Sequence, residues 1–124
     1  ILSHFQLGRY RLAIFGALYM VALDLLIDPL AAGPLDYWTW LEDGYYYDIP
    51  WINFFGWFVV SLLLFLILTP RSPARSGLDW LGLSLIVFFT LIALGSALKL
   101  VASIGVGLIL LHAFFFRTWK NFGR

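Results

Sequence analysis

The sequence predicts an all-α membrane protein, a polytopic helix bundle with about four transmembrane helices. Of the 124 residues, 62% are hydrophobic and only 12% are charged, and the mean hydropathy is +0.91. So few charged residues cannot cover the surface of a soluble protein. In addition, the apolar residues fall into four runs, and each is close to the roughly 17 to 25 residues that a helix needs to cross the hydrocarbon core.

We expect these runs to form one transmembrane domain that includes the whole chain, residues 1–124. They lie at 12–30, 51–68, 80–98 and 100–116, and an outer loop of acidic and aromatic residues spans 31–50. Glycine and proline end or precede the runs: Gly33 and Pro34 follow the first, and Pro50 precedes the second. Only Lys99 separates the last two runs. We expect a tight hairpin turn there, because one helix containing both runs would greatly exceed the bilayer thickness.

The basic residues predict the orientation of the helices. Lys and Arg of short loops stay on the cytoplasmic side of a membrane. If the chain crosses four times, one side receives Arg9, Arg11, Arg71, Arg75, Arg117, Lys120 and Arg124. The opposite side receives only Lys99 and the acidic loop. We therefore expect a protein integral to a cell membrane, with both termini cytoplasmic and the lipid bilayer as its first partner.

Two acidic residues interrupt the first apolar run. Asp24 and Asp28 are four residues apart, which places both carboxyl groups on one face of a helix. An ionisable side chain at such a depth costs about 2.5 to 3.5 kcal/mol on insertion scales, so it needs a partner or a function. We expect at least one of the pair to stay protonated near neutral pH. The structural alternative is that Asp28 lies at the membrane interface and Asp24 hydrogen-bonds to a neighbouring helix.

Four short motifs follow one another in the first half of the chain. They are Asp24-Leu-Leu-Ile-Asp28-Pro29, Trp38-Thr-Trp40, Gly44-Tyr-Tyr-Tyr-Asp-Ile-Pro50 and Asn53-Phe-Phe-Gly56-Trp57. In this order and spacing they resemble the membrane-embedded carotenoid biosynthesis protein family, which includes the gamma-carotene hydratase and the bisanhydrobacterioruberin hydratase. The resemblance covers about Tyr10 to Trp57. The family has Pro and Gly where this chain has Tyr45 and Asp48, so we expect a different loop backbone. The family's chains are also longer, which implies further helices upstream.

The resemblance implies that water is added to a terminal double bond of a carotene, with a carotenoid as ligand and no cofactor. An acid must protonate the alkene, and Asp24 is the candidate, with Asp28 holding the shared proton or activating the water. Asn53 either places the water or caps the second helix, and the cap is favoured because Asn is a preferred capping residue. The candidate substrate-binding rings, whose faces stabilise positive charge, are Trp38, Trp40, Tyr46 and Trp57. Alternatively, the rings of the 31–50 loop form an aromatic belt at the outer interface.

A second hypothesis is a non-catalytic accessory subunit of a larger membrane complex, such as a pigment-containing photosynthetic one. Small-residue pairs such as Ala13 with Ala17 and Ser103 with Gly107 let helices approach closely, which favours association with other subunits or with a second copy. His112 is a candidate ligand for the magnesium of a pigment, although a lone membrane histidine is more often only hydrogen-bonded. The sequence contains no phosphate-binding loop, no His and carboxylate cluster at metal-binding spacing and no basic groove for nucleic acid.

Overall fold

The computed structural model describes the backbone of residues 2–68 and 76–122, and the side chains of residues 8–68 and 80–115. Four α-helices make up this part of the chain: α1 (Leu2–Ala32), α2 (Trp51–Ile67), α3 (Ser76–Gly95) and α4 (Lys99–Phe122). An isolated antiparallel bridge between Tyr46 and Ile49 is the single β-type pairing among the described residues. The all-α prediction is confirmed. Most of the predicted basic loop, with Arg71 and Arg75, lies outside the described residues.

The four helices lie at the predicted apolar runs, but several ends differ: α1 begins at Leu2 and not at residue 12, and α4 continues to Phe122 and not to residue 116. The third run was expected to continue to residue 98, but α3 ends at Gly95 and the next three residues form a turn. In that turn the Leu98 amide donates to the Ala93 carbonyl (3.0 Å) and the Ala97 amide to the Leu94 carbonyl (3.2 Å), while Ala97 has a φ of 58°. This is a Schellman motif, which satisfies the last carbonyls of a helix and stops it. The predicted hairpin between α3 and α4 is therefore confirmed.

One helix is long and apolar enough to be identified as a membrane-spanning candidate by itself. It is α1, through the 25 residues Gly8–Ala32. The apolar stretches of the other helices are shorter over the described residues: Trp51–Ile67, Trp80–Gly95 and Lys99–Phe115. A bundle with four transmembrane helices thus stays a prediction from the sequence.

Helix α1 lies at the centre of the arrangement. It contacts the other three helices, whereas α2 contacts neither α3 nor α4 within the described residues. Contacts at both ends make α1 and α2 antiparallel: Arg9 near the start of α1 donates to the carbonyl of Leu66 in the last turn of α2, and Asn53 of α2 meets Asp28 of α1. The core forms on the other side of α1, from Leu26, Leu30, Ile86, Ala93, Val101, Ala102 and Leu108.

Small residues determine how closely the helices approach. Ala13 and Ala17 of α1 are completely buried, as the small-residue pattern predicts. In α4, however, the expected pair Ser103 and Gly107 lies on the exposed face. The close approach of α3 and α4 takes place at Gly105, where an added Cβ would collide with the side chain of Thr90.

This contact predicts opposite effects for two neighbouring substitutions. Gly105→Ala should lower the free energy of unfolding by about 1 to 3 kcal/mol, because the new methyl group overpacks the contact with Thr90. Gly107→Ala is the matched control, since an added Cβ meets nothing within 4 Å there. It should raise the free energy of unfolding by up to about 1 kcal/mol through helix propensity. Thermal unfolding in detergent measures both, and equal shifts would contradict the contact.

Candidate functional site

The two carboxyl groups of α1 are buried where α1 packs on α2. Asp24 is 9% exposed and Asp28 is 5% exposed. They lie one helical turn apart on the same face of α1. Protein covers both carboxyl groups, and Asp24 does hydrogen-bond to a neighbouring helix, as the structural alternative predicted. The position of Asp28 relative to the membrane interface stays a prediction.

The partner of both carboxyl groups is Asn53, in the first turn of α2. Its amide nitrogen Nδ2 donates to Oδ2 of Asp24 at 2.9 Å and to Oδ2 of Asp28 at 2.6 Å. A side-chain amide nitrogen carries two hydrogens, so Asn53 can serve both acceptors at once. These three residues, which we call the carboxyl-amide cluster, join two helices through side chains 25 and 29 residues apart in sequence.

The favoured interpretation of Asn53 as a helix cap is wrong. The capping position of α2 is taken by Pro50, which makes no side-chain capping bond, and the backbone amide of Asn53 donates to the Pro50 carbonyl at 3.0 Å. Asn53 therefore lies within the first turn of α2 and not at its cap. Its amide nitrogen donates across to α1, where the buried carboxyl groups need a hydrogen-bond donor.

A proline next to the cluster frees a backbone acceptor. Pro29 lies within α1 and has no N–H, so the carbonyl of Leu25 cannot receive its usual helical hydrogen bond. The hydroxyl of Tyr46, from the loop before α2, donates to this carbonyl at 2.7 Å. Burial raises the pKa of Tyr46 to about 12, with a smaller contribution from Tyr47, so the hydroxyl keeps its proton under physiological conditions.

Tyr46 begins a two-residue turn that leads directly into α2. The Ile49 amide donates to the Tyr46 carbonyl at 2.9 Å, and the two central residues, Tyr47 and Asp48, have φ angles of 49° and 58°. Positive φ at both central positions characterises a type I′ turn. Asp48 thus has the left-handed conformation that glycine adopts easily. At Gly44 a side chain is excluded, since a Cβ would overlap the Ile49 carbonyl.

The turn geometry predicts that Asp48→Gly stabilises the protein. The left-handed region costs a non-glycine residue about 1 kcal/mol, which glycine avoids. We expect a higher melting temperature for Asp48→Gly. Asp43→Gly is the control in the same exposed loop, where φ is not positive and glycine only increases the entropy of the unfolded chain. Stabilisation by both variants, or by neither, would argue against a left-handed residue at 48.

The aromatic candidates do not converge on the carboxyl-amide cluster. Trp38 is 42% exposed and Trp57 is 45% exposed. Trp40 lines a cavity of about 360 Å³ at the end of α1, next to Pro29, and its indole Nε1 is buried with no hydrogen-bond partner in the described structure. No hydrogen bond or ring contact between described residues links these three tryptophans to the cluster. Of the four aromatic candidates, Tyr46 is the one that a described hydrogen bond joins to α1.

His112 lies on the opposite side of α1 from the cluster. Its Nδ1 is 3.4 Å from the hydroxyl of Tyr19, and both residues line an apolar cavity of about 200 Å³ between α1, α3 and α4. Among the described residues no group of three or more His, Cys, Asp or Glu side chains is arranged to hold a metal ion. The role of His112 as a pigment ligand therefore stays a prediction from the sequence.

Sequence reasoning missed two features of this region. The bond from Tyr46 to Leu25 was not expected, although Pro29 within an apolar run was a usable signal, because every proline in a helix frees the carbonyl four residues earlier. The pairing of Tyr19 with His112 was also missed. No local sequence pattern predicts this contact, because the two residues are 93 positions apart.

Comparison with known proteins identifies the family. The family model described as "Carotenoid biosynthesis protein" matches residues 3–116 of this chain. The match extends well beyond the region from Tyr10 to Trp57 on which the resemblance was based, and it includes all four helices. No curated protein and no solved structure matches the chain. Because the family model matches most of its length, this chain belongs to the carotenoid biosynthesis protein family.

Proposed function

We propose that this protein acts in a membrane to add water to a terminal double bond of a carotene. The observation that supports this most directly is the carboxyl-amide cluster, a buried pair of carboxyl groups held by one amide in a chain of the carotenoid biosynthesis family. Ionisable side chains within a membrane helix are rare, and they are functional candidates by default. A carboxyl group in dry surroundings is also a suitable acid for protonating an alkene.

The proposed reaction has two bond-forming steps. Asp24 donates its proton to the less substituted carbon of the double bond, which forms a C–H bond and leaves a tertiary carbocation. The oxygen of a water molecule then attacks this cation and forms the C–O bond, while Asp28 accepts the proton that the water releases. The sum is alkene plus water giving a tertiary alcohol. The proton passes from Asp28 back to Asp24 and restores the starting state.

The geometry of the cluster suits this exchange of roles. Asn53 engages one oxygen of each carboxyl group and fixes both side chains, which leaves the other oxygens for the shared proton and the reactants. Because both carboxyl groups accept from the same amide nitrogen, they lie close together, and we expect the proton to return without passing through bulk water. Trp38, Trp40, Tyr46 and Trp57 stay candidates for contact with the carotene, and the cation would favour ring faces.

Oxygen labelling in a carotene-producing host tests the proposal. Cells expressing the protein in water enriched in heavy oxygen should accumulate a hydroxylated carotene that contains the heavy isotope. A hydroxyl group introduced from molecular oxygen would lack the label, so the result separates hydration from oxidation. Absence of any labelled alcohol, with the protein present in the membrane, would contradict hydratase activity of this chain.

A non-catalytic accessory subunit is the second candidate, favoured by the open arrangement of the helices. Since α2 packs on α1 alone over the described residues, two of its sides are left for lipid or for another membrane protein. Large apolar side chains are exposed along it, including Trp51, Phe55 and Ile67. If the labelling experiment gives no product, the size of the native protein after solubilisation tests the subunit hypothesis. A larger complex of fixed stoichiometry supports an accessory subunit, and a small homogeneous protein contradicts it.

We further propose four membrane crossings, with both termini in the cytoplasm. The antiparallel order of α1 with α2 and the hairpin of α3 with α4 support this, together with the segregation of the basic residues. The sequence contains no cysteine, so a thiol reagent reacts only at a cysteine that is introduced by substitution. We expect Ser72→Cys to react with an impermeant thiol reagent from the cytoplasmic side and Asp36→Cys only from the other side. Reaction of both from one side would overturn the four-crossing topology.

A further inference from the structure

We propose that Tyr46 is a positioning residue for the carboxyl-amide cluster: its hydroxyl, bound to the carbonyl that Pro29 leaves free, sets the start of α2 against α1 and so holds Asn53 over the two carboxyl groups. The inference rests on the proposed function for its catalytic consequence. Its structural consequence is independent of that function.

The hydroxyl of Tyr46 binds a backbone acceptor that has no partner within its own helix. The carbonyl of Leu25 lacks a helical N–H partner because residue 29 is proline. A backbone carbonyl without a donor in an apolar environment destabilises the fold. The hydrogen bond from Tyr46 at 2.7 Å supplies that donor and removes the destabilisation. Leu25 directly follows Asp24 in α1, and Pro29 directly follows Asp28. The acceptor therefore lies in the same helical turn as the carboxyl pair.

The segment between Tyr46 and Asn53 is stiff. Tyr46 and Ile49 close the type I′ turn, Ile49 is 1% exposed, and Pro50 begins α2 with its fixed φ. The segment is short, and its last part, from Trp51 onward, is already helical. The Tyr46 ring also contacts the ring of Phe54, the neighbour of Asn53, edge to face with centroids 5.9 Å apart. The position of Tyr46 therefore determines the position of Asn53.

The matched variants are Tyr46→Phe and Tyr47→Phe. Each removes one phenolic hydroxyl from neighbouring positions, but among the described residues only that of Tyr46 bonds to α1. We expect Tyr46→Phe to lower kcat for carotene hydration by about tenfold to a hundredfold with little change in KM, because displacement of a reacting group mainly affects the chemical step. Tyr47→Phe should behave like the parent protein. Equal activity of the two variants would overturn the positioning role.

A double-substitution cycle with Pro29→Ala tests the bond without any activity. Alanine in place of Pro29 restores the N–H that the Leu25 carbonyl lacks, so removing the Tyr46 hydroxyl should shift the melting temperature less in the Pro29→Ala background than in the parent. An undiminished shift would mean that the hydroxyl acts elsewhere.

The infrared band of a protonated carboxyl group gives a second readout of the cluster. Tyr46→Phe should move this band if Asn53 is displaced, and Tyr47→Phe should not. If the protein proves inactive on carotenes but the cycle and the band respond as expected, the positioning role stands and only the hydratase proposal fails. An unchanged band in Tyr46→Phe would overturn the link to Asn53.

Discussion

Asp24→Asn is expected to abolish hydration of carotenes while the helices still assemble. The amide has nearly the size of the carboxyl group and can still hydrogen-bond, but it has no acidic proton to give to an alkene. General acid catalysis contributes roughly 100- to 10,000-fold, so we expect a loss of this order in kcat. Product analysis in a carotene-producing host measures the loss, and helical circular dichroism with gel filtration in detergent measures assembly.

The control for Asp24→Asn is Glu42→Gln, which makes the same chemical change at an exposed position of the outer loop. We expect it to retain the parent activity. Undiminished hydration in Asp24→Asn would remove Asp24 from the mechanism. Loss of activity in both variants would show instead that the overall charge of the outer side matters.

Asn53→Ala is expected to have the largest effect on stability among single substitutions at the site. It removes both hydrogen bonds that the amide donates, at 2.9 Å and 2.6 Å, and leaves the two buried carboxyl groups without the donor that they share. A buried polar group without its partner costs about 1 to 3 kcal/mol, and two are affected, so we expect a loss of at least about 2 kcal/mol in the free energy of unfolding. Thermal or denaturant unfolding in detergent measures it.

Ser84→Ala serves as the control for Asn53→Ala. Its hydroxyl is exposed and bonds only to the Leu81 carbonyl of its own helix at 2.8 Å, so its removal should change stability by no more than about 0.5 kcal/mol. If Asn53→Ala were as mild as this control, the amide would not be the partner of the buried carboxyl groups.

The comparison of the two carboxyl residues with Asn53 shows where sequence reasoning succeeds. The separation of Asp24 and Asp28 by four residues places them on one helix face, and helical periodicity alone makes this certain once α1 forms. Asn53 was a candidate site residue, but the favoured interpretation assigned it to a helix cap. Its side chain instead crosses to α1. That choice depends on how α2 docks, which no pattern within α2 reveals.

The aromatic residues show the same division. Tyr46 lies in one of the motifs and was a candidate for substrate binding. Nothing in the sequence favoured it over the other three aromatic candidates. Trp38 and Trp57 turn out to be largely exposed, and Trp40 lines a cavity at the end of α1. Only the fold brings the Tyr46 hydroxyl to the carbonyl of Leu25.

By itself, the sequence determined the four helices, the turn between α3 and α4 and the carboxyl pair on one face of α1, because helix length and periodicity follow from apolar runs and from glycine and proline positions within a few residues. The tertiary structure alone decided that α1 is central, that α2 packs on it without reaching α3 or α4 over the described residues, and that Asn53 and Tyr46 meet α1. The physical reason is that helix packing depends on the match between two surfaces. Such a match joins residues far apart in the chain, so local patterns do not contain it.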